Sequence, residues 1–197
     1  MIYFKSWLES SDSFPRYLYH VTPSCDEVLK TGFKTSSQLP PGSTVMGGSH
    51  QNSVSFTYDL KWAYYYKEAL EEVRDMLNDS DYMYSDKMWD RLLKKFPLSS
   101  NGRYLIDLTK NMIYPKKDEH EKMQLFFHML PQIFDGHFPL IFGSGLKRRL
   151  SGNPNICILK VDTSGLSLDL GESNPKEKEI RVKNPELISL DRIDVVS

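Results

Sequence analysis

The residues with chemistry to offer fall in three short segments set far apart in the chain. Near the start, His20 stands in Tyr19-His20-Val21-Thr22, an aromatic and β-branched run. Next comes Ser53-Val54-Ser55-Phe56-Thr57, followed by Asp59 and the triplet Tyr64-Tyr65-Tyr66. Near the end, Glu177-Lys178-Glu179-Ile180-Arg181-Val182 carries two carboxylates two positions apart. On an extended chain, residues i and i+2 point the same way, so Glu177 and Glu179 can face one cleft. A carboxylate counters positive charge that develops at a reacting carbon. A neutral imidazole has one donor and one acceptor, which suits a hydroxyl. An aromatic face stacks on a flat ring. Each residue also has a bland use: a solvated charged loop for 176–179, a satisfied core histidine for His20, core packing for the tyrosines.

The elements that must position these groups can be read from pattern. Residues 17–22 read as a strand. Ser24 as N-cap, with Glu27 at capping-box spacing, predicts a short helix ended by Gly32. Residues 35–52 are rich in Ser, Pro and Gly and read as a loop, tightest at Gly47-Gly48. Residues 53–57 read as a second strand. Asp59 is placed to cap a helix over about 60–78, where Leu60, Ala63, Tyr64, Ala69, Leu70, Val73 and Leu77 form most of an apolar stripe. A helix near 86–96 gathers Met88, Trp89, Leu92, Leu93 and Phe96 on one face, and one over about 118–134 turns Met123, Phe126, Phe127, Leu130 and Ile133 inward. Residues 104–108 read as a strand in preference to a short helix. Residues 135–155 are loop-rich, and 156–161, 166–170, 179–182 and 193–196 read as successive strands. Within 1–15, Phe4, Trp7 and Leu8 mark the apolar face of a short helix. The chain thus reads as one α+β domain over 1–197, with a mostly helical middle at about 60–150.

Composition narrows the classes. A chain of 197 residues, 40% apolar and 26% charged, suits a single globular domain with its own core. A net charge of -1 makes no global electrostatic case for nucleic acid or membrane. No apolar run is long enough to span a bilayer. The N-terminal stretch, interrupted by Lys5 and Glu9, does not read as a signal peptide. Cys25 and Cys157 form no CxxC pair and no disulfide framework; they read as free thiols, which would fit a reducing cytoplasm, and a lone bridge between the two is the alternative. There is no GxGxxG, no P-loop and no HExxH. His120 and His128 lack partners at metal-ligand spacing, so no metal site is expected.

In their order and spacing, the three segments resemble the ADP-ribosyltransferase superfamily, over about residues 16–66 and 155–196. The helical middle lies outside the resemblance. It implies a split β-sandwich around an NAD cleft, here with a helical insertion. In the diphtheria-toxin-like and poly(ADP-ribose) polymerase-like branches, a first-strand His is paired with a Tyr on a middle strand and a Glu heading a late strand. This chain offers His20 and Glu179, but Ser55 where the Tyr would be. Ser-x-Ser is closer to a branch that carries Arg in place of His20, so the pattern is a mixed His–Ser–Glu one. The resemblance implies that Glu179 binds the ribose 2′-hydroxyl and stabilises the ribosyl cation, and that Glu177 positions the acceptor. It implies that His20 holds a ribose hydroxyl, that the Val21 backbone holds the nicotinamide carboxamide, and that Thr22 supports the site. Ser55 and Thr57 belong to the cofactor-binding middle strand, and Tyr65, on the next helix, is a ring that can stack on nicotinamide. Lys147-Arg148-Arg149 is either a solvated loop or a contact to the NAD pyrophosphate or a nucleic-acid backbone.

Breaking the nicotinamide–ribose bond builds positive charge on the ribose. A unit charge pair at ~4 Å in an effective dielectric of about 20 is worth roughly 4 kcal/mol, or about a thousandfold in rate. The resemblance therefore implies an enzyme that uses NAD as a substrate and transfers one ADP-ribose to a macromolecular acceptor, protein or nucleic acid. NAD hydrolysis by a toxin, RNA 2′-phosphotransfer and a non-catalytic binding module are the alternatives on the same fold. The second lacks its early Arg-His pair here, and the third is favoured by Ser55 standing in for Tyr. The first residues also resemble the openings of small phage accessory proteins, which would make the compartment the host cytoplasm. The reading requires His20, Ser55 and Glu179 to line one cleft, with Glu179 within side-chain reach of a ribose placed beside His20; residues on different faces would overturn it.

Overall fold

A computed structural model describes residues 14–39, 52–79, 81–113, 115–116, 118–134, 150–152, 154–171 and 178–196. The helix expected within 1–15, the Gly47-Gly48 turn, the 147–149 triplet and Glu177 lie outside the described residues. Five strands are present among them: β1 (Tyr17–Thr22), β2 (Val54–Thr57), β3 (Cys157–Asp162), β4 (Glu179–Val182) and β5 (Ile193–Val196). They form one sheet in the order β4-β2-β1-β3-β5, with every neighbouring pair antiparallel. The α-helices are α1 (Cys25–Thr31), α2 (Leu60–Asn78), α3 (Asp86–Lys95), α4 (Gly102–Ile113) and α5 (Glu119–Ile133). The fold is α+β, and none of the described helices is long and apolar enough to cross a membrane.

Strand alternation divides the core in two. Leu18, Val54, Phe56, Leu159, Val161, Ile180 and Val182 share one sheet face and are buried there with Phe33. On the opposite face, Val21 packs against a second core built from α2, α3, α4 and α5, which includes Met88, Trp89, Leu92, Phe126 and Leu130. The predicted helices α2 and α3 form because their apolar positions recur on one face and their first turns are capped. Asp59 Oδ1 accepts the Lys61 N–H at 2.8 Å, and the Ser85 hydroxyl accepts that of Met88 at 3.1 Å. α2 also carries Glu72, fully buried, against Arg91 Nε at 2.7 Å and Lys95 Nζ at 3.1 Å on α3. The Tyr82 hydroxyl donates to the same carboxyl at 3.1 Å. Burial first, then the charge of Glu72, pushes the Tyr82 phenol up to about 12. A carboxylate at this depth is tolerable only because cations meet it, so it fixes how α3 docks on α2.

Four expectations are corrected. Residues 104–108 are not a strand but the middle of α4, because Ile106, Thr109 and Ile113 are buried at helical spacing. Residues 166–170 make only one bridge, Leu170 with Val182. Asn184 takes over the local backbone groups: its Oδ1 accepts the Asp169 N–H at 2.7 Å and its Nδ2 donates to the Ser167 carbonyl at 3.2 Å. Ser24 precedes α1 but makes no side-chain capping bond; its own N–H donates to Thr22 Oγ1 at 3.1 Å instead. Cys25 and Cys157 are not free thiols but a disulfide, their Cα atoms 6.1 Å apart. That pairing removes the thiol-based ground for a reducing compartment.

Gly102 opens α4 where the helix presses on its neighbours. A Cβ there would lie 2.5 Å from the Ile133 carbonyl oxygen and 2.9 Å from Leu98 Cδ2. Alanine normally stabilises a helix over glycine by about 1 kcal/mol. Here Gly102→Ala is expected to destabilise the fold by roughly 1–3 kcal/mol through overpacking, read as a lower urea midpoint. An unchanged or raised midpoint would show that the 98–102 contact yields freely.

Candidate active site

β2 and β4 bring the first groups together. Their register pairs Ser55 with Arg181 and Thr57 with Glu179, so these four side chains leave one face. The Ser55 hydroxyl donates to Glu179 Oε1 at 2.6 Å. Arg181 forks the same carboxylate, Nε to Oε1 and Nη2 to Oε2, each at 3.1 Å. The Glu179 and Arg181 side chains are only 16% and 15% exposed, which shields this ion pair from much of the solvent screening that weakens surface pairs. Ser55 itself is exposed. The register continues in one row across the sheet, Glu179, Thr57, Tyr19, Lys160 and Asp194, one residue per strand.

His20 joins from β1. β1 holds β3 through six register pairs but meets β2 at one, Tyr19 with Thr57. Extending that register would set His20 opposite Phe56 and Val21 opposite Ser55, and neither pair forms. The His20 ring occupies the opening, with its Nδ1 2.8 Å from the Ser55 carbonyl oxygen. A carbonyl only accepts, so Nδ1 carries the hydrogen, and in the neutral ring the acceptor is Nε2. Phe33 and Phe56 flank the imidazole at centroid distances of 5.3 and 5.5 Å.

The expectation that His20, Ser55 and Glu179 line one cleft is not met: His20 lies on the opposite face of the sheet from the Ser55 and Glu179 side chains and reaches them only through the Ser55 carbonyl. His20 has the parity of Leu18 and approaches from the Phe33 side. Ser55 and Glu179 display their functional groups on the other side. Ser55 is the link, through its carbonyl to His20 and its hydroxyl to Glu179. The reason is the strand period of two, which separates the parity of His20 from that of Tyr19, the residue in register with Thr57.

The other expected residues take these places. Val21 is half-buried against the helical core. Thr22 and Thr57 are buried, and each hydroxyl serves a turn, accepting the N–H of Ser24 at 3.1 Å and of Asp59 at 3.2 Å. Tyr65 is set into the helical core, edge-on to Phe96 at 5.1 Å and close to Trp62 at 5.6 Å. Stacking on a ligand would require it to exchange those contacts. Glu177 lies outside the described residues.

Two residues at the site were not singled out from the sequence. Arg181 is recognisable only once β4 is registered on β2. Lys178 precedes β4 with φ 49, an unusual backbone for a side-chain-bearing residue, and its ammonium pairs with Asp59. This ties the entrance of β4, and hence Glu179, to the cap of α2. The hydrogen bond from Lys178 holds the Asp59 carboxyl below its ordinary range, and the Lys61 N–H adds to it.

No family model, curated protein or solved structure matches this chain.

The lowered acidity of Asp59 has a definite sign. A carboxyl depressed in the folded state contributes stability that is present above its unfolded value, ~3.9, and is lost as pH falls through the folded value. Asp59→Ala is expected to cost about 1 kcal/mol near neutrality through the lost cap. It should also flatten the loss of stability below about pH 4, read from urea midpoints of both proteins across that range. An acid limb as steep as wild type would show that Asp59 does not contribute to it.

Proposed function

We propose that this chain is an NAD-dependent mono-ADP-ribosyltransferase, with Glu179 as the catalytic carboxylate, Ser55 beside it at the dinucleotide site, and His20 bracing Ser55 from the opposite face. The observation that carries the reading is the hydrogen bond from Ser55 to Glu179, which joins two of the three segments on one face. Segments more than a hundred residues apart thus converge, and they are two of the three that carry the resemblance.

The chemistry follows from the residues. As nicotinamide leaves, the carboxylate of Glu179 would face the developing ribosyl cation, an interaction worth most where water is scarce. His20, on the other face, would support the site through the Ser55 carbonyl and not touch the ribose that Glu179 faces. The acceptor would be a macromolecule, protein or nucleic acid, entering from the exposed Ser55 side.

A second reading has its own observation. Glu179 is already neutralised by Arg181, as it could be in a module that keeps the site's architecture without the reaction. Nicotinamide release from NAD separates the two. Wild type is expected to release nicotinamide, and Glu179→Gln to lower the rate by about a thousandfold, as ~4 kcal/mol of charge stabilisation implies. Glu179→Gln at full wild-type rate would sink the assignment. NAD binding without turnover in wild type would favour the module.

A further inference from the structure

Arg181 is a charged residue at this site, in direct contact with Glu179, to which the NAD reading gives no task. Glu179 and Arg181 are i and i+2 on β4 and so share a face, and Ser55 stands across from Arg181. The carboxylate is held asymmetrically. Oε1 accepts two hydrogen bonds, from the Ser55 hydroxyl at 2.6 Å and from Arg181 Nε at 3.1 Å. Oε2 accepts one, from Arg181 Nη2 at 3.1 Å. A carboxylate otherwise turns freely about its last bond. A planar guanidinium gripping both oxygens, with a third donor on one of them, removes that freedom. It leaves Oε2 with the larger remaining acceptor capacity.

We propose that Arg181 is a positioning residue for the reaction: with Ser55 it locks the Glu179 carboxylate so that Oε2 is the oxygen presented to the ribose hydroxyl. This rests on the NAD reading and goes beyond it, because it assigns the two carboxylate oxygens different tasks. Lysine keeps the charge but cannot fork both oxygens. Charge alone therefore does not substitute for Arg181.

Steady-state nicotinamide release tests this. Arg181→Lys is expected to lower kcat by about tenfold to a hundredfold, the usual scale for a misplaced catalytic group, with KM for NAD within about twofold. In a Glu179→Gln background the same change is expected to add no further loss, because it acts through Glu179. A merely structural role would lower both proteins alike, so multiplying losses overturn the proposal, as does a loss confined to KM. Ser55→Ala, at an exposed position, removes one of the two bonds to Oε1 and is expected to show the same split in smaller measure. An unchanged kcat there overturns the proposal even if Arg181→Lys fails to fold. No nicotinamide from wild type overturns the NAD reading itself, and this role with it. Active wild type with indifferent Arg181→Lys overturns this role alone. A crystal structure of Arg181→Lys gives a readout without turnover: the carboxylate is expected to rotate away from its wild-type plane, and one left unmoved on Ser55 defeats the proposal.

Discussion

The register of β2 against β4 is the constraint on which the site depends. Ser55 and Arg181 face Glu179 and Thr57 along one side of this strand pair, while Val54, Phe56, Ile180 and Val182 are buried on the other. A slip of one residue would turn every side chain to the opposite face. The apolar side would then meet water, and the carboxylate and guanidinium would enter the core. The polar site is thus held in place by burial on the face that carries no chemistry. The outer edge of β4 is engaged as well: Gly171 N–H donates to the Arg181 carbonyl and Lys183 N–H to that of Asp169, both at 2.8 Å.

The second constraint is a place where pairing stops. β1 is bound along its length to β3, whereas β2 follows β4, and the two groups of strands join at Tyr19 and Thr57. A carbonyl left unpaired between strands needs a donor, and His20 supplies it to Ser55. The histidine therefore closes a backbone deficit and is oriented by doing so. This explains how a residue of the wrong parity to share a face with Glu179 still belongs to the same hydrogen-bonded series.

The helical middle has a different logic. Its core is closed around Phe126, Leu130, Met88 and Leu92, and Glu72, the one deeply buried charge among the described residues, is met by Arg91 and Lys95. It touches the site through α2, whose cap residue Asp59 holds Lys178 at the head of β4. The positive φ of Lys178 is a mildly strained turn, and the ion pair fastens it. Glu179 is consequently anchored from two directions, by β2 alongside and by α2 ahead.

Much of this was legible in local pattern. The strands at 17–22, 54–57 and 193–196 and the long helices follow from alternation, from apolar stripes and from Asp59 and Ser85 as caps, all interactions within a few residues of chain. The errors fall where distant groups intervene. Residues 104–108 alternate well enough for a strand, but burial of Ile106, Thr109 and Ile113 against α5 selects the helix. Residues 166–170 have strand-like composition, yet the Asn184 side chain takes the bonds a ladder would use. Nothing in the spacing of Cys25 and Cys157 announces their pairing, which depends on β1 carrying α1 to the start of β3. By itself the sequence determined most of the elements, their apolar faces, and the presence of His20, Ser55 and Glu179 in the order that carries the resemblance to ADP-ribosyltransferases, because periodicity and side-chain type are local properties. Only the tertiary structure decided that Ser55 donates to Glu179, that Arg181 grips both its oxygens and that His20 arrives from the other side of the sheet, because strand register is settled by burial summed over the whole sheet.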